Sequence, residues 1–211
     1  ILRHGDLSVL SFHATKVFTT FEGGAIVCPD ADTKRRIDQL KNFGIVDETT
    51  VVAAGINGKM NEVSAAFGLL QLKTVDESVR RRGALTARYR RLLAGVAGIE
   101  PMAELGHEAN YGYFPVLVRE DFPLGRDALY DALRKAGIHA RRYFSPLITD
   151  YPMYAHLPSA APERLPVATR IALQVLCLPL YPALEPAQVD RIVDLIRASG
   201  QDQSPNRMEF P

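Results

Sequence analysis

The chain has 211 residues and is 47% hydrophobic, enough apolar material for one large domain or one and a half. Its 25 basic and 24 acidic side chains leave a formal charge of +1, so no global field recruits nucleic acid or an anionic membrane surface. Cys28 and Cys177 lie far apart with no CxxC spacing and no clustered histidines, a pattern that argues against a zinc site or a disulfide scaffold and fits a reducing cytoplasm.

The opening "ILRHGDLS" lacks the basic region and apolar core of a signal peptide, and no apolar run approaches the roughly 20 residues that cross a bilayer. The chain enters a strand almost at once, as expected of a piece that starts inside a domain. In "GDLSVLSF" Leu7, Val9 and Ser11 share one strand face while Ser8, Leu10 and Phe12 share the other, and "GGAIVC" reads as a second strand. Lys16 lies between them. Asp30 or Asp32 is expected to cap a helix whose apolar face runs through Ile37, Leu40 and Phe43 and which Gly44 ends.

The segment "VDETTVVAAGINGKM" is turn-rich, with Gly55, Asn57 and Gly58 tolerating left-handed backbone. Asn61 is expected to cap a long helix stepping through Met60, Val63, Phe67 and Leu70 and continuing through Val75, Val79, Leu85, Tyr89 and Leu92. Its arginines, Arg80, Arg81, Arg82, Arg88, Arg90 and Arg91, read as a solvated helix face, because aromatic interleaving and a recognition motif are absent. Beyond Gly95, "YGYFPVLV" reads as strand, Arg126 to Ala136 as helix ended by Gly137, and "IHARRYF" as strand. Glu163 to Leu173 then reads as helix, "VLCLPL" as strand, and Pro186 to Ala198 as a helix with Val189, Ile192, Val193 and Ile196 on one side. This order predicts a smaller α/β or α+β domain, and Gln201 to Pro211, with two prolines and no helical period, reads as a loose tail.

A lysine does covalent chemistry when its amine is neutral and a carbonyl is held against it; on the residues alone Lys16 also reads as a solvated loop lysine. Ser11 stands at a strand end five residues before Lys16, the kind of place where open α/β sheets bind ligands, and its hydroxyl suits a phosphate oxygen. Gly23 and Gly24 allow a sharp turn or a close backbone approach, and a plain connection between strands uses them equally well.

"SFHATKVFTTFEGG" resembles the pyridoxal-phosphate lysine motif of the DegT/DnrJ/EryC1/StrS sugar aminotransferases, and "GINGKMNEVSAAFGLLQL" resembles that family's second signature. "HARRYFSPLITDYPMY" and "LCLPLYPALEPAQVDRIVDLI" are similar to its carboxyl-terminal segments, so the resemblance runs over about residues 1 to 198. It implies an α/β fold-type-I transferase, with residues 1–75 the carboxyl-terminal part of the large cofactor domain, 76–200 a small α/β (α+β) domain and 201–211 the tail. The implied cofactor is pyridoxal 5′-phosphate, bonded to Lys16, which then moves the proton; Ser11 takes the role of the phosphate-binding hydroxyl.

The resemblance further implies a homodimer in which the turn holding Asn57 reaches the partner's cofactor phosphate. Lys59 stands where many members carry arginine, and Asn57 reads equally as a turn residue chosen for backbone freedom. His13 reads as satisfying buried backbone at the strand-to-turn junction, and Glu22 as orienting the loop or as a plain turn acid. Arg141, Arg142 and Tyr143 fall where the family's small domain faces the sugar nucleotide; paired arginines on a strand point to opposite faces, so one at most serves its diphosphate. The family's ring-stacking aromatic and pyridine-nitrogen aspartate belong to a region before the lysine that this chain does not contain, as expected of a carboxyl-terminal portion.

The implied substrate is a nucleotide-linked 4-keto-6-deoxyhexose, with a 3-keto sugar as the alternative, and the implied amino donor is glutamate. A non-catalytic relative that keeps fold and dimer surface is the competing reading.

Overall fold

The computed structural model describes residues 4–103 and 109–201. The chain divides into two compact units, Ile1–Glu77 and Ser78–Pro211.

In the first unit, β1 (Ser8–Ser11) and β2 (Gly24–Val27) pair antiparallel, from Ser8 opposite Val27 to Ser11 opposite Gly24. Helix α1 (Ala31–Leu40) starts at Asp30, whose Oδ1 accepts the Thr33 N–H at 2.7 Å; of the two expected caps Asp30 serves, and Asp32 lies in the first turn. Phe43 was expected on the helix face but lies beyond the helix at φ +61°, its N–H donating to Ile56 O. The turn at Gly55 to Gly58 folds onto the end of α1: Ile56 and Gly58 N–H donate to the Leu40 and Lys41 carbonyls, both at 2.8 Å. These bonds satisfy acceptors that a helix terminus leaves open. Glycine is needed at 55, because a Cβ there would fall 2.4 Å from Gly44 N and 2.5 Å from Leu40 O.

Helix α2 (Glu62–Leu72) is capped by Asn61, whose Oδ1 accepts the Ser64 N–H at 2.8 Å. The single long helix expected from Asn61 to Leu92 is two helices, α2 and α3 (Val75–Leu93). Lys73 and Thr74 N–H turn back to Leu70 and Gln71 O, tightening the last turn of α2 and interrupting the ladder. The expected apolar face of α2 is largely uncovered: Val63 is 74% and Leu70 59% exposed.

The second unit is α+β. Strands β3 (Ile99–Pro101), β4 (Phe114–Val118) and β5 (Val175–Leu178) form an antiparallel sheet in that order. Helices α3, α4 (Arg126–Lys135) and α6 (Pro186–Gln201) contribute Tyr89, Leu129, Leu133, Val189, Val193 and Ile196 to a core with Phe114, Val116 and Leu176. The Tyr89 ring stacks on Phe114 with centroids 4.7 Å apart, and its hydroxyl donates to Pro179 O at 3.0 Å. Burial pushes this phenol's pKa up.

Strand β4 begins at Phe114 rather than Tyr111, which sits at φ +50°. "IHARRYF" is not a strand: Arg141 alone bridges to Cys177, and the chain turns away at once through Ser145 N–H to Arg142 O at 2.7 Å. The helix expected over Glu163–Leu173 is a short 3-10 turn (Pro162–Arg164) followed by α5 (Pro166–Gln174), since Pro166 fits a first helical position and no interior one. Strand β3 had no periodic signal in its three residues. Gln201, assigned to the tail, ends α6, and 202–211 lie outside the described residues.

The arginine face of α3 is not all solvated either. Arg82 is 8% exposed, and its Nη1 donates to the carbonyls of Leu180 at 2.7 Å, Tyr111 at 3.3 Å and Gly112 at 3.5 Å. Desolvation lowers its pKa from the usual arginine value. Arg88 forms a forked pair with Asp190, through Nε to Oδ1 at 2.7 Å.

Candidate active site

Lys16 lies on the loop that joins β1 to β2, and the loop is closed at its feet. Phe12 N–H donates to Gly23 O at 2.9 Å, and Phe12 O receives both Thr20 N–H at 2.9 Å and the Thr19 hydroxyl at 3.1 Å. Thr20, 2% exposed, donates its hydroxyl to Glu22 O at 2.8 Å. Gly23 at φ +154° and Gly68 of α2 make room for that side chain: a Cβ on Gly23 would lie 2.4 Å from Thr20 Oγ1, and one on Gly68 2.8 Å from Thr20 Cγ2. Phe21 stacks on Phe67 of α2 with centroids 4.2 Å apart, and Phe12 meets Phe18 edge to face at 4.9 Å.

Within this frame residues 13–16 form a turn, Lys16 N–H donating to His13 O at 2.9 Å. The Lys16 side chain is exposed. Ser11, at the end of β1, meets the His13 N–H through Oγ at 3.5 Å, a long contact that leaves the serine's own proton free to donate. His13 Nδ1 lies 3.2 Å from the Thr15 N–H and 2.9 Å from its hydroxyl, and Nε2 faces Glu22 Oε1 at 3.6 Å. The structure thus brings Ser11, His13, Lys16 and Glu22 onto one loop. Thr20, the packing anchor of that loop, carries no sequence signal that separates it from Thr19, the other threonine of "VFTTFE".

Asn57 is exposed in the turn that docks on α1 and forms a bridge with Asn42. Lys59 sits over the Phe43 ring, its Nζ 4.5 Å from the centroid. A cavity of about 950 Å³ beside β1, β2 and α1 includes Gly55, Gly58, Lys59, Lys34, Asp38 and Lys41 in its wall; Ser11 and Lys16 are not part of it. Its charges are largely self-paired, because Asp38 binds both Lys34 and Lys41, whose hydrogen bonds lower the Asp38 pKa.

Arg141, Arg142 and Tyr143 belong to the second unit. Arg142 packs its guanidinium 3.8 Å over the Tyr130 ring and pairs through Nε with Asp127 Oδ1 at 2.7 Å, whereas Arg141 is exposed. Tyr143 stacks on Phe144 at 4.7 Å, and Tyr113 meets both rings edge-on at 5.6 and 6.2 Å. Asp127 and Tyr130 escaped sequence reasoning because nothing in the helix period of α4 marks them as partners of Arg142. Among the described residues no cluster of His, Cys, Asp and Glu suits a metal ion, and no helix is long and apolar enough to cross a membrane.

Residues 3–197 match the sequence profile of the DegT/DnrJ/EryC1/StrS aminotransferase family. The chain is 50% identical over 198 residues to a dTDP-4-amino-4,6-dideoxy-D-glucose transaminase of Shigella dysenteriae, covering 93% of this chain and 53% of that protein. A transaminase of the same description from Escherichia coli is also 50% identical, over 83% of this chain and 48% of its own length. The chain therefore spans about half the length of the curated relatives it matches. Among solved structures, DesI in the presence of its TDP-sugar product superposes with a TM-score of 0.84 at 36% identity, covering 94% of this chain and 50% of DesI. Helicobacter pylori PseC, an aminotransferase of pseudoaminic acid biosynthesis, also gives 0.84, at 26% identity over 93% of this chain and 54% of its own. With profile, sequence and fold in agreement along nearly its whole length, the chain belongs to the DegT/DnrJ/EryC1/StrS aminotransferase family and has the fold-type-I architecture of its pyridoxal-phosphate-dependent members.

Proposed function

We propose that this chain carries the reactive lysine of an aminotransferase that places an amino group on carbon 4 of a nucleotide-linked 4-keto-6-deoxyhexose, with glutamate as donor. The observation that carries the reading is the closed loop that presents Lys16 five residues after the Ser11 hydroxyl at the end of β1. The sugar follows from the 50% identity to two 4-amino transaminases; the 3-amino enzyme of Streptomyces venezuelae, at 32%, is further away. Synthesis of a surface polysaccharide or glycosylated metabolite in the cytoplasm is the setting we assign.

The residues present fit pyridoxal phosphate: an exposed amine to hold its aldehyde carbon, and a serine hydroxyl with a free proton for its phosphate. The cofactor supplies the electron sink. Lys16 Nζ, when neutral, accepts the proton leaving the donor's α-carbon and later delivers one to the sugar carbon that receives nitrogen. The backbone bond from Lys16 to His13 and the Phe12 to Gly23 and Phe12 to Thr20 closures limit how far that amine wanders, an entropic contribution to positioning. Residues 1–75 serve in this reading as part of the cofactor domain and 76–200 as the small domain, where the exposed Arg141 suits the substrate diphosphate better than Arg142, which Asp127 already holds. Tyr143 flanks it.

Asn57 is assigned to the cofactor phosphate of a second protomer. Support comes from its exposed turn, rigidly held on α1, and from the exposed apolar side chains around it, Phe43, Ile56 and Val52, a surface expected of an interface. The retained Lys16 and Ser11 favour catalysis over the reading of a non-catalytic relative. Addition of pyridoxal phosphate to the protein should give a visible absorption band that Lys16→Ala abolishes, and the loaded protein should transfer nitrogen from glutamate to a dTDP-4-keto-6-deoxy sugar. A band of equal strength in Lys16→Ala would refute the assignment.

A further inference from the structure

His13 and Glu22 stand at the two feet of the Lys16 loop, and their contacts favour one placement of the imidazole proton: the Thr15 hydroxyl 2.9 Å from Nδ1 can donate or accept, so the Thr15 amide and Glu22 decide between the tautomers. A backbone N–H can only donate, so the Thr15 amide 3.2 Å from His13 Nδ1 requires a lone pair there. The ring proton of the neutral imidazole is then on Nε2, the nitrogen that faces the Glu22 carboxylate at 3.6 Å. A carboxylate at that distance attracts an N–H and repels a lone pair, so Glu22 disfavours the opposite tautomer, which would put a second donor against the Thr15 amide. His13 Nδ1 thereby does what an asparagine oxygen does in an Asx turn, accepting the N–H two residues on. The same turn is closed from the other side by Lys16 N–H on His13 O.

The geometry points to His13 as a positioning residue for Lys16, held in its Nε2–H tautomer by Glu22. The role assigned to both side chains is to set the turn from which the amine extends. This inference rests on the proposed role of Lys16, but its structural half is measurable in the cofactor-free chain.

Histidine side-chain nitrogen NMR on the cofactor-free chain, with the His13 signal assigned by its loss in His13→Asn, should show the Nε2–H form. Glu22→Ala should let the Nδ1–H form appear, and Glu22→Gln, which keeps an acceptor oxygen, should not. Amide exchange at Thr15 and Lys16 should quicken about tenfold in His13→Ala and stay near wild type in His13→Asn, whose side-chain oxygen can accept the same Thr15 N–H. In the loaded protein His13→Ala should lower kcat about tenfold with KM unchanged, and His13→Asn should restore most of it. A wild-type His13 in the Nδ1–H form, a tautomer indifferent to Glu22→Ala, or unaltered exchange in His13→Ala would overturn the clasp. Faster exchange with unchanged kcat would overturn its service to Lys16. A cofactor band of equal strength in Lys16→Ala would leave the tautomer and exchange results standing and fail the proposed function alone.

Discussion

Replacing Gly23 by alanine should loosen the lysine loop by an amount the structure allows one to work out. Gly23 has φ +154°, a backbone region that costs an L-residue about 1–3 kcal/mol. The new methyl would lie 2.7 Å from Met60 Cε, the far end of a flexible chain that can swing aside, and 2.4 Å from Thr20 Oγ1, which cannot easily do so. Thr20 is buried and donates to Glu22 O; turning it away loses a hydrogen bond of about 1 kcal/mol. The sum is about 2–4 kcal/mol. Native-state amide exchange of Phe12 and Thr20, whose N–H groups close the loop, reads that free energy directly. Removing the obstacle in Gly23→Ala/Thr20→Ala should make the pair non-additive by about 1 kcal/mol. A loss below about 0.5 kcal/mol in the single variant, or strict additivity in the pair, would refute the reasoning.

Arg82→Met should destabilise the second unit by about 2–4 kcal/mol, because three backbone carbonyls lose a charged donor; thermal denaturation with a midpoint near wild type would contradict it. Tyr89→Phe should cost about 1 kcal/mol at neutral pH through the bond to Pro179 O. It should also flatten the alkaline limb of the stability curve: the buried phenol holds its proton above the pH of about 10 where an unfolded tyrosine loses it, so wild-type stability falls as pH rises past that point. Equal slopes in wild type and variant would count against that. Burial pushes the Cys177 thiol up to about 11, so a thiol reagent at neutral pH should label it only after denaturation, while the partly exposed Cys28 reacts in the native chain.

What the sequence disclosed and what it hid follow a physical divide. Caps and local turns were legible because their chemistry is local: Asp30 and Asn61 each bond an amide three residues on, and the glycines of "GING" fit a turn pressed against α1. Lys16 and Ser11 were singled out by the resemblance of "SFHATKVFTTFEGG" to a family motif, since spacing around a strand end alone left Lys16 readable as a solvated loop lysine. Hidden were the features set by partners distant in sequence. Nothing near Arg82 announces Leu180, 98 residues away, so an arginine read as solvated turns out to be buried. The period through Met60 to Leu92 continues across Lys73 and Thr74, yet two local hydrogen bonds divide the helix there. His13 was read as serving buried backbone; it does accept a backbone N–H, that of Thr15, but in an exposed turn, and that its other nitrogen meets Glu22 depends on the loop's feet coming together, which Phe12 and Gly23 decide.

Whether Lys16 on this braced loop is the residue that holds pyridoxal phosphate is read from the visible spectrum of the protein after addition of the cofactor. A band should appear that borohydride fixes as a label on the peptide containing Lys16, and it should be absent in Lys16→Ala. A band of equal strength in Lys16→Ala, or a borohydride label on another lysine such as Lys34 or Lys59, would contradict that role for Lys16.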